Sequence, residues 1–209
     1  KTFDTNGAFV LASNNYPTGA RFWFPCFDEP QRKATFELRV NHPIGLNVYS
    51  NTEIQRTEGN SQSKRITSVF AKTHLLSTYQ VTLSVNHFPV DDLGKMHGFK
   101  RVRVISSLNN PQENLKEIQR DLINRNLEHV KNSTLYDHFN GNLDIIILDG
   151  TYLFTVNPGL VTFGRYNYFS DLFQKLYIFK HIPMPPLLNF TNLVGLNEYS
   201  RVVENACRS

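Results

Sequence analysis

Three observations in the 209 residues predict an α+β fold, with an antiparallel β saddle or sandwich domain over residues 1–106 and an α/β half over 107–209. The first half alternates apolar and polar residues with a period of two. The spacing becomes helical just past Ser106. A short, almost unbroken apolar run then follows near residue 145.

In the first half, Phe36, Leu38 and Val40 alternate with Glu37 and Arg39. Tyr79, Val81, Leu83 and Val85 alternate with Gln80, Thr82, Ser84 and Asn86, and Val102 and Val104 alternate with Arg101 and Arg103. Each pattern predicts a strand with one face on a core and one in water, as antiparallel sheets allow. Arg65–Ala71 is a further strand candidate, preceded by the polar turn Glu58-Gly59-Asn60-Ser61. A domain boundary is expected near Ser106 to Asn110. There Asn110 can cap a helix that has Pro111 first and Glu113 third, and Leu115, Ile118, Leu122, Ile123, Leu127 and Val130 follow at helical spacing. Leu143 to Leu148, closed by Asp149-Gly150, reads as a buried central strand, because a strand covered on both faces needs a continuous apolar run. Gly159 to Phe163 predicts another strand. Tyr168 to Phe179 predicts a helix stopped by Pro183-Met184-Pro185-Pro186, and an amphipathic piece runs from Leu193 to Ala206.

The most unusual stretch is Tyr16 to Leu38. It gathers Phe22, Trp23, Phe24, Phe27, Pro25, Pro30, Cys26 and the acidic pair Asp28-Glu29 before the first clear alternation. The prolines fix their own φ, and Pro25 biases Phe24 toward extended backbone, so the stretch predicts a rigid, partly buried corner.

Composition sets the outer limits. Hydrophobic residues make up 40% and charged residues 19%, which is a globular balance. The net charge is +4, but the basic residues are scattered among acidic ones, which argues against nucleic acid as partner. No apolar run reaches the length of a membrane span, and the first residues carry no signal-peptide pattern. Cys26 and Cys207 show no metal-ligand spacing. They leave open either a buried thiol at Cys26 with an unrelated one near the tail, or a bridge between the two. The acceptor tripeptides at Asn132 and Asn189 point toward glycosylation and a secreted or lumenal compartment.

On its own, the sequence carries little chemistry. It has no phosphate-binding glycine loop and no GxSxG elbow. His42, His74, His87, His97, His129, His138 and His181 never stand at the i, i+4 spacing that presents two zinc ligands on one helix face, and they read as surface or structural residues. Asp28-Glu29 and Asp91-Asp92 are adjacent carboxylates, a spacing that suits solvated turns better than acid–base pairs.

Pro17-Thr18-Gly19-Ala20-Arg21, followed by Phe24-Pro25-Cys26-Phe27-Asp28-Glu29-Pro30 and Lys33-Ala34-Thr35-Phe36, closely resembles the PTDAR…FPCFDEP…KATF signature of the M1 zinc aminopeptidases. Tyr49-Ser50-Asn51, Leu76-Ser77-Thr78-Tyr79, Leu143-Asp144-Ile145, Gly159-Leu160-Val161-Thr162-Phe163 and Leu196-Asn197-Glu198 resemble further family segments in the same order. The resemblance implies part of an N-terminal β saddle joined to the start of a truncated, thermolysin-like α/β catalytic domain.

The departures bear on chemistry. Where the family has GAMEN, whose Glu binds the substrate α-amine, this chain has Leu153-Phe154-Thr155-Val156-Asn157, so only Asn157 survives. A neutral Val156 supplies no counter-charge to an amine. No HExxH occurs anywhere, and the family register lands on Lys175-Leu176-Tyr177-Ile178-Phe179. That leaves Glu198 as a lone vestige of a zinc-ligand position, and one carboxylate does not hold zinc. Asn14 stands where the family offers a substrate-contacting Gln, and Arg21, Asp28 and Glu29 read as a structural charge network. The resemblance therefore implies an M1-like chain with no catalytic residues and no zinc cofactor, in which Asn14 and Asn157 are vestigial substrate contacts. It would act by binding a peptide or protein. Two other readings stay open: a dimer or second chain that completes an active aminopeptidase, and a structural glycoprotein that serves as an interaction surface.

Overall fold

A computed structural model describes residues 2–5, 8–59, 64–106, 120–121, 123–124, 127, 141–148 and 154–164. These residues are mostly β-sheet, and the twelve strands form three sheets. The expected helix at Tyr168–Phe179, the amphipathic piece at Leu193–Ala206, and Asn132, Asn189, Glu198 and Cys207 all lie outside the described residues.

The first sheet joins β1 (Thr2–Thr5), β2 (Ala8–Ala12), β7 (Leu83–Asn86) and β4 (Asn47–Ser50) in that order. The second joins β3 (Arg39–Pro43), β6 (Arg65–Phe70) and β5 (Ile54–Glu58). Every pairing in these two sheets is antiparallel. Their facing sides interdigitate Val48 and Val85 with Phe70, and Leu11, Leu38 and Val40 pack around them.

The third sheet is mixed. Its order is β11 (Phe154–Asn157), β12 (Leu160–Gly164), β10 (Asn142–Leu148), β9 (Phe99–Ser106) and β8 (Val90–Met96). β10 is central and runs parallel to both neighbours, and the hairpins β8–β9 and β11–β12 close the two sides. Hydrogen bonding thus runs across the boundary expected near Ser106 to Asn110, because β9 and β10 are adjacent strands.

The continuous apolar run of β10 is explained by cover on both faces. Leu143, Ile145 and Ile147 face a cluster that includes Ile123 and Leu127. Those two residues are helical and spaced four apart, as expected from the amphipathic run. Ile146 and Leu148 face Val10, Ala12 and Tyr49 of the first sheet. The described molecule is therefore layered as sheet, sheet, mixed sheet and helix.

The layering overturns one expectation. The polar residues that alternate along Tyr79–Asn86 do not face water: Thr82, Ser84 and Asn86 are at most 1% exposed. β7 is the third strand of the four-stranded sheet, and the mixed sheet lies over the face that alternation had assigned to solvent. The strand is also shorter than the alternation suggests, because Thr78–Gln80 forms a 3-10 turn and β7 begins only at Leu83. Likewise, regular pairing of the Phe36–Val40 segment starts at Arg39, after an isolated bridge between Ala34 and Leu76.

Candidate functional site

The buried polar face leads to the place where the first sheet and the Thr78–Gln80 turn meet the β11–β12 hairpin. Asn51, just after β4, donates its side-chain amide to the Gln80 carbonyl at 2.9 Å and to the Pro158 carbonyl at 2.8 Å. Its side-chain carbonyl accepts from the Thr82 amide at 3.0 Å. One buried amide thereby ties three segments together. Ser50 Oγ adds a bond to the Thr82 carbonyl at 2.7 Å.

Gly159 meets Asn51 from the other side. Its φ of +79° suits glycine, and a Cβ at this position would lie 2.0 Å from the Asn51 carbonyl oxygen. The β11–β12 turn can pack here only because the side chain is missing.

The Tyr16–Leu38 corner hangs on the Thr78–Gln80 turn, whose Gln80 carbonyl Asn51 also holds. Ser77 Oγ donates to the Pro30 carbonyl at 2.6 Å, and Thr78 Oγ1 donates to Asp28 at 2.7 Å. Ser77 and Gln80 also close a capping box that fixes the 3-10 turn. Arg21 Nε reaches the second Asp28 oxygen at 3.1 Å, and its guanidinium donates to the Asp28 carbonyl at 3.3 Å. Burial raises the Asp28 carboxyl, but the bonds from Thr78 and Arg21, with the Arg21 charge, outweigh it and hold the group below its ordinary value. Glu29 stays at the surface and pairs with Arg32 at 2.9 Å. The charged corner is therefore a turn network built around Asp28.

The corner is less buried than expected. Phe22 is 87% and Phe27 70% exposed, and Arg32 lies over the Phe27 ring. Phe24 packs edge-on against Trp23 and Phe36. Cys26 is only half-buried, because the corner leaves one side of it open.

The two expected substrate contacts have different surroundings. Asn14 is exposed, whereas its neighbour Asn15 is buried and donates to the Val81 carbonyl. Asn157 is buried at the end of β11, opposite Leu160 and next to the turn that Asn51 holds. Among the described residues, no side-chain hydrogen bond joins Asn14 and Asn157. Val156 is half-buried opposite Val161 and packs against the apolar cluster on the helix side of the mixed sheet. On the other face of β11, Thr155 Oγ1 is buried without a hydrogen-bond partner among the described residues.

A second polar junction was not anticipated from the sequence. Arg103 on β9 grips Asp144 on β10 through two hydrogen bonds of 2.7 Å and lies over the Tyr49 ring at 5.3 Å. Burial works against the Arg103 charge, but the Asp144 bonds and charge outweigh it and hold the guanidinium more firmly protonated than usual. Burial also pushes the Tyr49 hydroxyl up to about 12. Register alone could have hinted at the pair, since both residues precede apolar runs on strands that turn out to be adjacent. Asn51 gives no such signal, being one polar residue at a strand end.

Among the described residues, no group of three or more His, Cys, Asp and Glu side chains could hold a metal ion. His42, the buried histidine among the described residues, is committed to Ser68 Oγ and the Pro43 carbonyl.

The junction makes two predictions. Gly159→Ala should destabilise the protein by roughly 2–4 kcal/mol in urea denaturation, since the new methyl must displace backbone at a left-handed φ. An equal midpoint for the two proteins would contradict the close approach. Asp28→Asn should cost about 1–3 kcal/mol at neutral pH by breaking a buried charged hydrogen-bond set. Because the folded Asp28 carboxyl lies below its ordinary value of 3.8, the wild-type advantage should persist above that pH. It should shrink as pH falls below 3.8 and the carboxyl takes up its proton, and a constant gap would refute the assignment.

Residues 1–80 match the family model of the peptidase M1 N-terminal domain. Aminopeptidase A of Gloydius brevicauda is 29% identical over 81% of this chain, and glutamyl aminopeptidase of Homo sapiens is 36% identical over 42%. Putative aminopeptidase-2 of Caenorhabditis elegans is 44% identical over 34% of the chain. The aligned regions make up 18%, 9% and 4% of those proteins respectively, so the chain spans less than a fifth of their length. The corner, the Ser77–Thr78 turn and Asn51 all fall within the matched domain. Residues 1–80 are thus similar to the N-terminal domain of the M1 peptidases, and the chain as a whole is similar to a part of longer aminopeptidases.

Proposed function

We propose that this chain has no aminopeptidase activity of its own and acts by binding a peptide or protein. The observation that carries this reading is the setting of Val156. By the family resemblance it takes the place of the carboxylate that anchors a substrate amine, and its side chain is spent on an apolar cluster. An α-amine brought there loses water and gains no counter-charge, which costs several kcal/mol. The missing HExxH points the same way, since nothing else in the sequence supplies paired imidazoles with a neighbouring base.

The β11 edge is what remains for binding. β11 is one of the two outer strands of the mixed sheet among the described residues, and an outer strand offers backbone groups to an extended peptide. Asn157 and Asn14 would contribute neutral polar contacts, without the charge discrimination that an aminopeptidase requires. On this reading the second half is the start of a thermolysin-like domain whose sheet is kept and whose zinc chemistry is lost.

A second reading rests on the relatives' names, which denote aminopeptidases. On it the chain is one part of an active zinc aminopeptidase completed by another polypeptide. Purified full chain should contain no stoichiometric zinc and should not hydrolyse aminoacyl-coumarin substrates above a buffer blank. Zinc at one per chain with turnover would overturn the first reading. Activity that appears only with a co-purifying partner, identified by mass spectrometry, would establish the second.

The compartment we propose is extracellular or lumenal, with glycans at Asn132 and Asn189. Among the described residues, no helix is long and apolar enough to cross a membrane. Protein secreted from eukaryotic cells should lose mass on N-glycosidase treatment. The shift should disappear in the double variant Asn132→Gln/Asn189→Gln, and an unglycosylated wild type would refute the assignment.

A further inference from the structure

A cleft of about 220 Å³ opens between the antiparallel sheets and the N-terminal ends of β9 and β10. It lies at the Arg103–Asp144 row of the mixed sheet, and the cross-strand register sets Leu160 between that row and Asn157, so it is distinct from the β11 edge. Ile54 and Phe70 give the lining an apolar part, and its charged part carries Arg101 and Arg103 together with Asp144 and Glu53. The two arginines stand at i and i+2 on β9, which puts both on one face of the sheet.

We infer that this cleft binds a small monocarboxylate bearing an apolar group, about the size of one acylated amino acid. Three features carry the assignment. First, Arg103 is preorganised: two bonds to Asp144 and the Tyr49 ring fix its plane, yet they use only Nε and Nη2. Among the described residues no hydrogen bond uses its Nη1, which leaves a donor on a residue that lines the cleft.

Second, Arg101 can be recruited. Its Nε and Nη2 both bond Asp92, but both side chains are over two-fifths exposed. An exposed pair of this kind holds its members weakly, so a ligand carboxylate can share the guanidinium. Third, the volume lies below the range typical of drug-sized ligands, and Ile54 and Phe70 in the lining reward an apolar group. Glu53 at the rim accepts from Asn142 and would repel a second negative charge, which selects for a monocarboxylate.

The test titrates the full chain with N-acetyl-L-leucine by isothermal calorimetry, with neutral N-acetyl-L-leucinamide and cationic L-leucinamide as controls. Saturable binding of the carboxylate is expected, with both amides at least about tenfold weaker, as the loss of charged hydrogen bonds implies. Arg101→Gln should weaken the carboxylate roughly tenfold and leave the amides unchanged. Ile54→Glu should abolish carboxylate binding, and Arg101→Lys should recover part of the lost affinity. Thermal melts of each variant distinguish lost binding from lost fold, and if Arg101→Gln unfolds, Arg101→Lys and Ile54→Glu decide. Failure to saturate, equal binding of the neutral amide, or wild-type affinity in folded Arg101→Gln would each overturn the assignment.

Discussion

The described architecture depends on one buried amide. Asn51 is the point where the first sheet, the Thr78–Gln80 turn and the β11–β12 hairpin meet, and its side chain satisfies both donors and its acceptor on backbone groups of the other two elements. A buried backbone carbonyl without a partner is costly, so the three segments are locked in mutual register by groups that would otherwise go unpaired. Gly159 makes the contact sterically possible. The Tyr16–Leu38 corner joins the same system one step away, because Ser77 and Thr78 hold Pro30 and Asp28 while Gln80 of the same turn offers its carbonyl to Asn51. The family-like segments at 17–36, 49–51, 76–79 and 159–163, scattered along the chain, converge on one hydrogen-bonded junction.

The layer between the first sheet and the mixed sheet has two characters. On one side Val10, Ala12, Tyr49, Ile146 and Leu160 form an apolar cluster. Alongside it, Thr82, Ser84 and Asn86 present hydroxyl and amide groups that find partners within the layer. The Leu83 amide donates to Ser13 Oγ, Asn86 donates to Ser84 Oγ, and the Phe88 amide donates to the Asn86 side chain. Apolar packing tolerates sliding better than hydrogen bonds do, because contact area changes slowly with displacement and a hydrogen bond weakens steeply with distance and angle. The apolar cluster supplies adhesion, and the polar strip supplies alignment. Arg103 and Asp144 continue that alignment across β9 and β10.

The parts legible in the sequence were those where one physical requirement dominates. The run Leu143–Leu148 indicates a central strand because cover on both faces leaves no place for polar residues. Ile123 and Leu127 belong to a run whose apolar residues recur at mixed intervals of three and four, a spacing that a period near 3.6 brings to one face and a period of two does not. The same logic misassigned Tyr79–Asn86. Alternation tells which residues share a face but not what covers it, and a face of Thr, Ser and Asn reads as solvated until another sheet is seen on top. Asn51 was illegible as a junction, since its partners lie 29 to 107 residues away and no local pattern marks it. The resemblance to M1 segments did locate Asn51, Thr78 and Gly159 individually, but not their contacts.

Nothing in the network that positions the proposed binding edge requires catalytic chemistry. β11 is held by its pairing with β12, by the apolar packing of Val156, and by the grip of Asn51 on the turn beyond Asn157. None of these contacts involves a charged group. A carboxylate at position 156 would have to be solvated or paired, and beside that apolar cluster its burial would cost stability unless a counter-ion came with it. Valine removes this cost and adds packing. On the proposed reading, loss of the amine anchor therefore stabilises the strand that presents the edge, and the scaffold can persist under selection for its fold and its surface after catalysis is gone. The junction at Asn51 would then be kept for a mechanical reason, to hold that edge at a fixed place relative to the aromatic corner.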